Sequence, residues 1–252
     1  MRRFRIHVGR FLGIPLSVHA SWFFVLTLAV WAATGAYGDA LPRLPVGERL
    51  AMAAVTGLAF FVCLAVHEIA HAVVAQRFGV HVRGITLFFL GGVAEIEGEL
   101  PSPGSEFAVA LAGPGTSVAI GSLFGLVSAW MGAMGWTGAE AVTLTLAAVN
   151  LGVALFNLIP GLPLDGGRIL RAAVWRKTGS FERATSIAAR GGTIVAALLV
   201  VAGVVFVLGG QPAGLWYVPM GVFIWSLARA SRRASAPDRT RALALAREGE
   251  AA

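Results

Sequence analysis

Charged residues are absent from long stretches of the chain. Residues 11–38, 50–67, 69–76, 107–139, 141–164 and 191–228 contain no Asp, Glu, Lys or Arg. A helix needs about 20 apolar residues to cross the hydrocarbon of a bilayer. Most of the stretches reach or approach that length, and Glu68 alone divides two of them. The pattern predicts six helices, at about 18–37, 51–77, 106–130, 140–159, 183–208 and 213–230. The run 191–228 is too long for one span, and "GGQPAG" at 209–214 breaks it, because Gly and Pro punctuate helices.

Two segments carry a different period. In "FRIHV", Phe4, Ile6 and Val8 alternate with Arg5 and His7, the pattern of a half-buried strand. Between the second and third helices, "RGITLFFLGGVAEIEGEL" joins an apolar run to an alternating one through Gly91-Gly92, a hairpin signal. Glu95, Glu97 and Glu99 then share one face, and Ala94 and Ile96 the other. The predicted fold is all-α and polytopic: six transmembrane helices, a small N-terminal strand and a membrane-associated β-hairpin between helices two and three. Residues 1–230 form this core and 231–252 a polar, Arg-rich tail.

Composition agrees. The 252 residues are 57% hydrophobic and 13% charged, against about a quarter charged in soluble domains. The N-terminus is basic, but no short apolar core with a cleavage site follows it, so no cleavable signal peptide is expected. Cys63, the one cysteine, excludes an internal disulfide. The net charge of +7 needs no nucleic acid to explain it. With the N-terminus in the cytoplasm, 18 of the 20 Lys and Arg fall on the cytoplasmic side, and only Arg43 and Arg49 outside. That asymmetry places both termini inside. Arg-, Ala- and Gly-rich usage points to a bacterial source.

The chemistry lies in helix two, "FFVCLAVHEIAHAVVAQRFG". Ionisable groups are costly in a membrane and mark function. His67 and His71 are four apart, on one helical face and about 6 Å apart along the axis, so they can grip one metal ion. Glu68 lies about 100° round the helix, within reach of a water on that metal. Zinc brings such a water near neutral pKa, and a carboxylate accepts its proton during attack on a carbonyl. The bland reading is a chance motif, or core histidines.

A catalytic zinc takes three protein ligands. Cys63 lies about 12 Å along the axis from His71 and reads as structural. His7, His19 and His81 read as interfacial, and Glu140 falls on the outer side. Asp165, in "FNLIPGLPLDGGRIL", emerges near the cytoplasmic end of helix four. Helix two runs in the same direction, and His71 lies about 9 Å before its end at Arg77. Asp165 and the histidines thus reach similar depth. Asp165 reads equally as the N-cap of a short helix. Asn150 and Asn157 share a face of helix four. Asn150 reads as an interhelical hydrogen bond, and Asn157 as a group for substrate or a developing oxyanion.

These residues resemble the site-2 protease family of intramembrane metalloproteases. "HEIAH" at 67–71 and "NLIPGLPLDGG" at 157–167 match its paired motifs; "AGP" at 112–114, the Gly-Gly hairpin and "GIPLSVHASW" are similar as well. The resemblance implies one zinc on His67, His71 and Asp165, Glu68 as catalytic base, and Asn157 assisting. It implies a substrate that is a single-pass membrane protein, such as a membrane-tethered transcription regulator or anti-sigma factor. The chain has no room for a PDZ insertion or for paired CBS domains after helix six. Leu90, Gly91 and Gly92 are the candidate substrate-binding residues, since an unwound substrate needs backbone partners in the membrane. The rival readings are a class resembling the prenyl-protein (CAAX) zinc proteases, with a glutamate as third ligand, and a non-proteolytic zinc binder or transporter.

Overall fold

The structure, a computed structural model, describes residues 5–88, 91–96, 98, 100–211 and 214–234. The chain divides into two compact units, Met1–Leu158 and Ile159–Ala252.

Among its described residues the first unit contains four strands and four helices. They are β1 (Arg5–Phe11), β2 (Ile14–His19), α1 (Ser21–Ala40), α2 (Val46–Arg77), β3 (Val82–Phe88), β4 (Gly91–Ile96), α3 (Pro103–Ala133) and α4 (Thr137–Asn157). The strands form one sheet in the order β1-β2-β3-β4. β1 and β2 pair antiparallel, β2 and β3 parallel, and β3 and β4 antiparallel. Buried Ile14, Val18, Val82, Ile85 and Leu87 of this sheet pack with Ala72 and Ala75 of α2 and Val109 of α3. Burial of each large side chain there stabilises by about 1.5–3 kcal/mol. The alanines let the sheet approach the turn of α2 that follows His71.

Several boundaries differ from the sequence pattern. Residues 14–19 form strand β2, and α1 starts only at Ser21. An unbroken apolar run does not distinguish strand from helix; pairing with β1 and β3 decides it. α2 begins at Val46, following Pro45, because Glu48 and Arg49 are compatible with a first turn. α3 begins at Pro103, where Ser102 and Ser105 form a reciprocal capping box. Gly91 and Gly92 are not the hairpin turn. They open β4 and pair with Phe88 and Leu87. Phe4, Leu90, Glu97 and Glu99 lie outside the described residues.

The second unit holds α5 (Asp165–Thr178), α6 (Phe181–Leu208) and α7 (Gly214–Ala234). α6 ends at the expected glycine break, with Gly209 as its C-cap. The loop before α5 lies backbone against backbone on α6. Leu162 N–H donates to Ala188 O at 3.0 Å. A Cβ at Gly161 would strike the Gly191-Gly192 backbone, and one at Gly192 would strike Leu162 O.

Among the described residues five helices, α1 to α4 and α6, are long and apolar enough to cross a membrane. α7 falls outside this group, since Pro219, Trp225, Arg229 and the arginines of its last turn dilute its apolar content. The α5 helix is too short to span.

The glycine contact yields a prediction. Gly192→Val should destabilise the second unit by about 1–3 kcal/mol, the usual cost of overpacking. Thermal unfolding in detergent measures it, and Thr193→Val, one residue on, serves as the comparison.

Candidate metal centre

His67, Glu68 and His71 sit in the last three turns of α2, and both histidines are buried. Their Nε2 atoms face one another at 3.2 Å. The ring nitrogens on the far side are already engaged. His71 Nδ1 lies 2.6 Å from Val109 O. A carbonyl only accepts, so Nδ1 carries the proton and Nε2 is left with its lone pair. His67 Nδ1 lies 2.8 Å from Ser117 Oγ. A hydroxyl both donates and accepts, so Ser117 serves either tautomer of His67, including the Nδ1–H form that frees Nε2 for a cation. Bonds of this kind behind a ligating histidine fix its orientation and raise its basicity.

The spacing suits a metal. Two nitrogens at 2.0–2.1 Å from a tetrahedral zinc stand about 3.3 Å apart. Two bare lone pairs at 3.2 Å repel unless a proton or a cation lies between them. These residues therefore fit a zinc ion.

α3 supplies both supporting atoms. Val109 and Ser117 are buried on it, and Pro114 lies between them. Proline cannot donate to the carbonyl four residues earlier, here that of Ala110, and crowds it. Ala110 is the neighbour of Val109, whose carbonyl serves His71. Gly113 is tighter still. A Cβ there would collide with Nε2 of both His67 and His71. Only a glycine leaves the space between α3 and the two lone pairs.

Glu68 faces a second glycine. A Cβ at Gly92 would collide with Cγ, Cδ and Oε1 of Glu68. The carboxylate thus lies against the backbone of β4, the terminal strand of the sheet. Gly91 at this strand's start has φ +135, a conformation suited to glycine.

The other candidates fall as follows. Asn157 is the last residue of α4 and is half-buried. Asn150 is buried and donates to Leu146 O at 2.8 Å, a bond within α4 where an interhelical one was expected, and its side chain also hydrogen-bonds Cys63 of α2. Leu90 is outside the described residues. In the second unit Asp165 is the first residue of α5, and Leu164 takes the N-cap position without a side-chain bond. Asp165 is therefore not the cap. Its Oδ1 is 3.9 Å from Arg168 Nη1. The sequence reading missed Ser117, Val109 and the spacing role of Gly113. The "AGP" tripeptide was a signal for the last; nothing marked Ser117.

The sequence profile of Peptidase family M50 matches residues 55–135 and 120–200. The chain belongs to this family. It is 39% identical over 227 residues to a protein of Mycobacterium tuberculosis named as zinc metalloprotease Rip3, covering 89% of this chain and 58% of that one. It is 32% identical to zinc metalloprotease MJ0392 of Methanocaldococcus jannaschii, covering 79% and 54%. The chain thus spans a little over half the length of these relatives. Among solved structures it is similar to the site-2 protease from Methanocaldococcus jannaschii, with TM-score 0.62 and 26% identity over 91% of this chain and 95% of that one. An M50 chain with five helices of membrane-crossing length and composition is a multi-pass membrane protein of the site-2 protease type. The family also removes the prenyl-protease alternative.

Two substitutions test the histidine geometry. Ser117→Ala should weaken zinc binding by about 10–100-fold while the fold persists, the usual cost of losing a partner behind a ligand; competition with a chelator reads the affinity. Gly113→Val should remove bound zinc altogether, measured by elemental analysis of the purified protein.

Proposed function

We propose that this chain is an intramembrane zinc metalloendopeptidase. It hydrolyses a peptide bond within or near a transmembrane segment of a single-pass, membrane-tethered protein, and so releases a cytosolic fragment such as a transcription regulator. The observation that carries the reading is the Nε2 pair at 3.2 Å with both far nitrogens engaged, beside a carboxylate pressed to a strand edge.

His67, His71 and Asp165 would hold one zinc. Two histidines leave a catalytic zinc one ligand short. Asp165 suits the third place: it heads α5 without acting as its cap, and its preceding loop is locked to α6 through Leu162. Zinc, when bound, would polarise the scissile carbonyl and make water acidic. Glu68 takes the proton from that water as the water oxygen attacks the carbonyl carbon. It then delivers the proton to the amide nitrogen as the C–N bond breaks. The Asn157 side-chain amide donates a hydrogen bond to the carbonyl oxygen as its charge grows.

Substrate is held on β4. A peptide bond inside a regular helix is shielded, and once unwound in the membrane its backbone needs new partners. Strand addition at a sheet edge supplies them. β4 is the terminal strand, whereas β3 is flanked by β2 and β4. Prolines at Leu87 or Phe88 would therefore break the sheet itself, and the clamp is assigned to β4, with Gly91 and Gly92 at its start. The lipid bilayer is the second partner. α7 forms the sixth span, and both termini are cytoplasmic, which rests on the Lys and Arg distribution. Nucleic acid has no part.

Glu68→Gln should keep one zinc per chain and lose hydrolysis by about 10²–10⁴-fold. Elemental analysis and a comparison of membrane-protein fragments in cells with either form measure both. Near-normal cleavage by the zinc-loaded variant would falsify the role of Glu68. Asp165→Ala should lose zinc, and full retention removes it from the ligand set. On β4, alternate N–H groups point towards β3 and away from it. Of Val93→Pro and Ala94→Pro, consecutive on β4, one should retain zinc and fold yet lose cleavage. If both such variants hold zinc and cleave at the parental rate, β4 is not the clamp.

A further inference from the structure

The β1–β2 hairpin carries apolar surface that the fold does not use. β2 residues Ile14 and Val18 are buried, on one face of the strand. In the register, Phe11 pairs with Ile14 and Ile6 with Val18, so Ile6 and Phe11 share that face. Yet Ile6 and Phe11 are 53% and 60% exposed. The core face of the sheet thus continues past its buried part into an uncovered strand. Arg10 pairs with Pro15 and lies on the opposite face.

The turn is a second and independent sign. Leu12 and Gly13 have φ of 50 and 82, as in a two-residue turn with both central residues left-handed. Asn-Gly is the usual choice there, and a bulky residue in that conformation is an outlier. Leu12 is also 70% exposed. A strained, exposed leucine at a hairpin tip gains nothing in water, and strain of this kind marks a functional contact.

The position of the sheet names the partner. β2 leads directly into the start of α1, β3 follows the end of α2, and the sheet core packs on Ala72 and Ala75 near the end of α2. Both helices are membrane-crossing by length and composition. The sheet therefore lies at one membrane boundary. Arg5 is engaged, with Nη1 2.6 Å from Glu95 Oε1; Arg10, beside the tip, is exposed.

We propose that the β1–β2 hairpin is an interfacial anchor: Ile6, Phe11 and Leu12 enter the leaflet at which α2 ends, and Arg10 engages anionic lipid headgroups. Apolar insertion combined with a nearby cation is how interfacial segments hold an anionic surface. The anchor would fix the depth of the sheet, and so of β4 beside Glu68. It rests on the membrane reading of α1 and α2.

The test uses the full chain in lipid nanodiscs containing anionic phosphatidylglycerol, in a Cys63→Ser background. Single nitroxide labels are placed at Leu12→Cys and Phe11→Cys, with Leu28→Cys in α1 as the lipid control and Glu48→Cys as the aqueous control. The ratio of collisions with oxygen to collisions with a water-soluble nickel chelate is read at each. The proposal expects Leu12 and Phe11 to group with Leu28, severalfold above Glu48. Adding Arg10→Glu should lower both ratios in these discs. If Leu28 is in lipid while both hairpin labels group with Glu48, the anchor is overturned. If Leu28 itself reads as aqueous, the membrane reading of α1 fails first. Spin–spin broadening between copies at Leu12 would make the partner a second chain and overturn the lipid assignment, and an unchanged ratio in Arg10→Glu overturns the role of anionic lipid.

Discussion

Two imidazole nitrogens facing each other at 3.2 Å are stable only with a proton or a cation between them. That constraint organises the first unit. A histidine left to rotate would relieve the repulsion by turning its ring. Here neither ring is free to do so, because Val109 O and Ser117 Oγ engage the opposite nitrogens. The supporting helix must come close enough to make those bonds without filling the gap, which is why Gly113 stands between them on α3. The proline that follows leaves the neighbouring Ala110 carbonyl without its helical donor.

The same economy of space governs the Glu68 carboxylate. Glu68 occupies the volume that a side chain at Gly92 would take, so the carboxylate and the edge strand share one boundary. On the proposed reading, a substrate backbone added to β4 would lie beside the base. The sheet is held in place by its own core against Ala72 and Ala75. The second unit shows a parallel arrangement: Gly161, Gly191 and Gly192 let the loop before Asp165 lie backbone to backbone on α6. In each case a missing Cβ, and not a special side chain, sets the distance.

Much of this was legible in the sequence. Every helix but the charged α5 followed from charge-free runs, and the H-E-x-x-H spacing identified the face of α2, because helical geometry alone puts His67 and His71 together. The hairpin was found, but its turn was misplaced: Gly91 and Gly92 marked a close approach to Glu68, and glycine serves that need as readily as it serves a turn. β2 was hidden in an apolar run that leads into α1, where only pairing with β1 and β3 separates strand from helix. Ser117 was invisible, since a serine in an apolar helix carries no period that links it to a histidine 50 residues earlier. The capping box at Ser102 and Ser105 was readable and would have set the start of α3 correctly.

In the proposed centre His67 and His71 present Nε2, and not Nδ1, to a single zinc ion. Anomalous diffraction at the zinc edge from crystals of the zinc-loaded protein decides this. One anomalous peak per chain is expected, about 2.0–2.1 Å from both Nε2 atoms, with Nδ1 of His71 still bonded to Val109 O. A peak on the Nδ1 side of either ring, or none at the histidine pair, would contradict it.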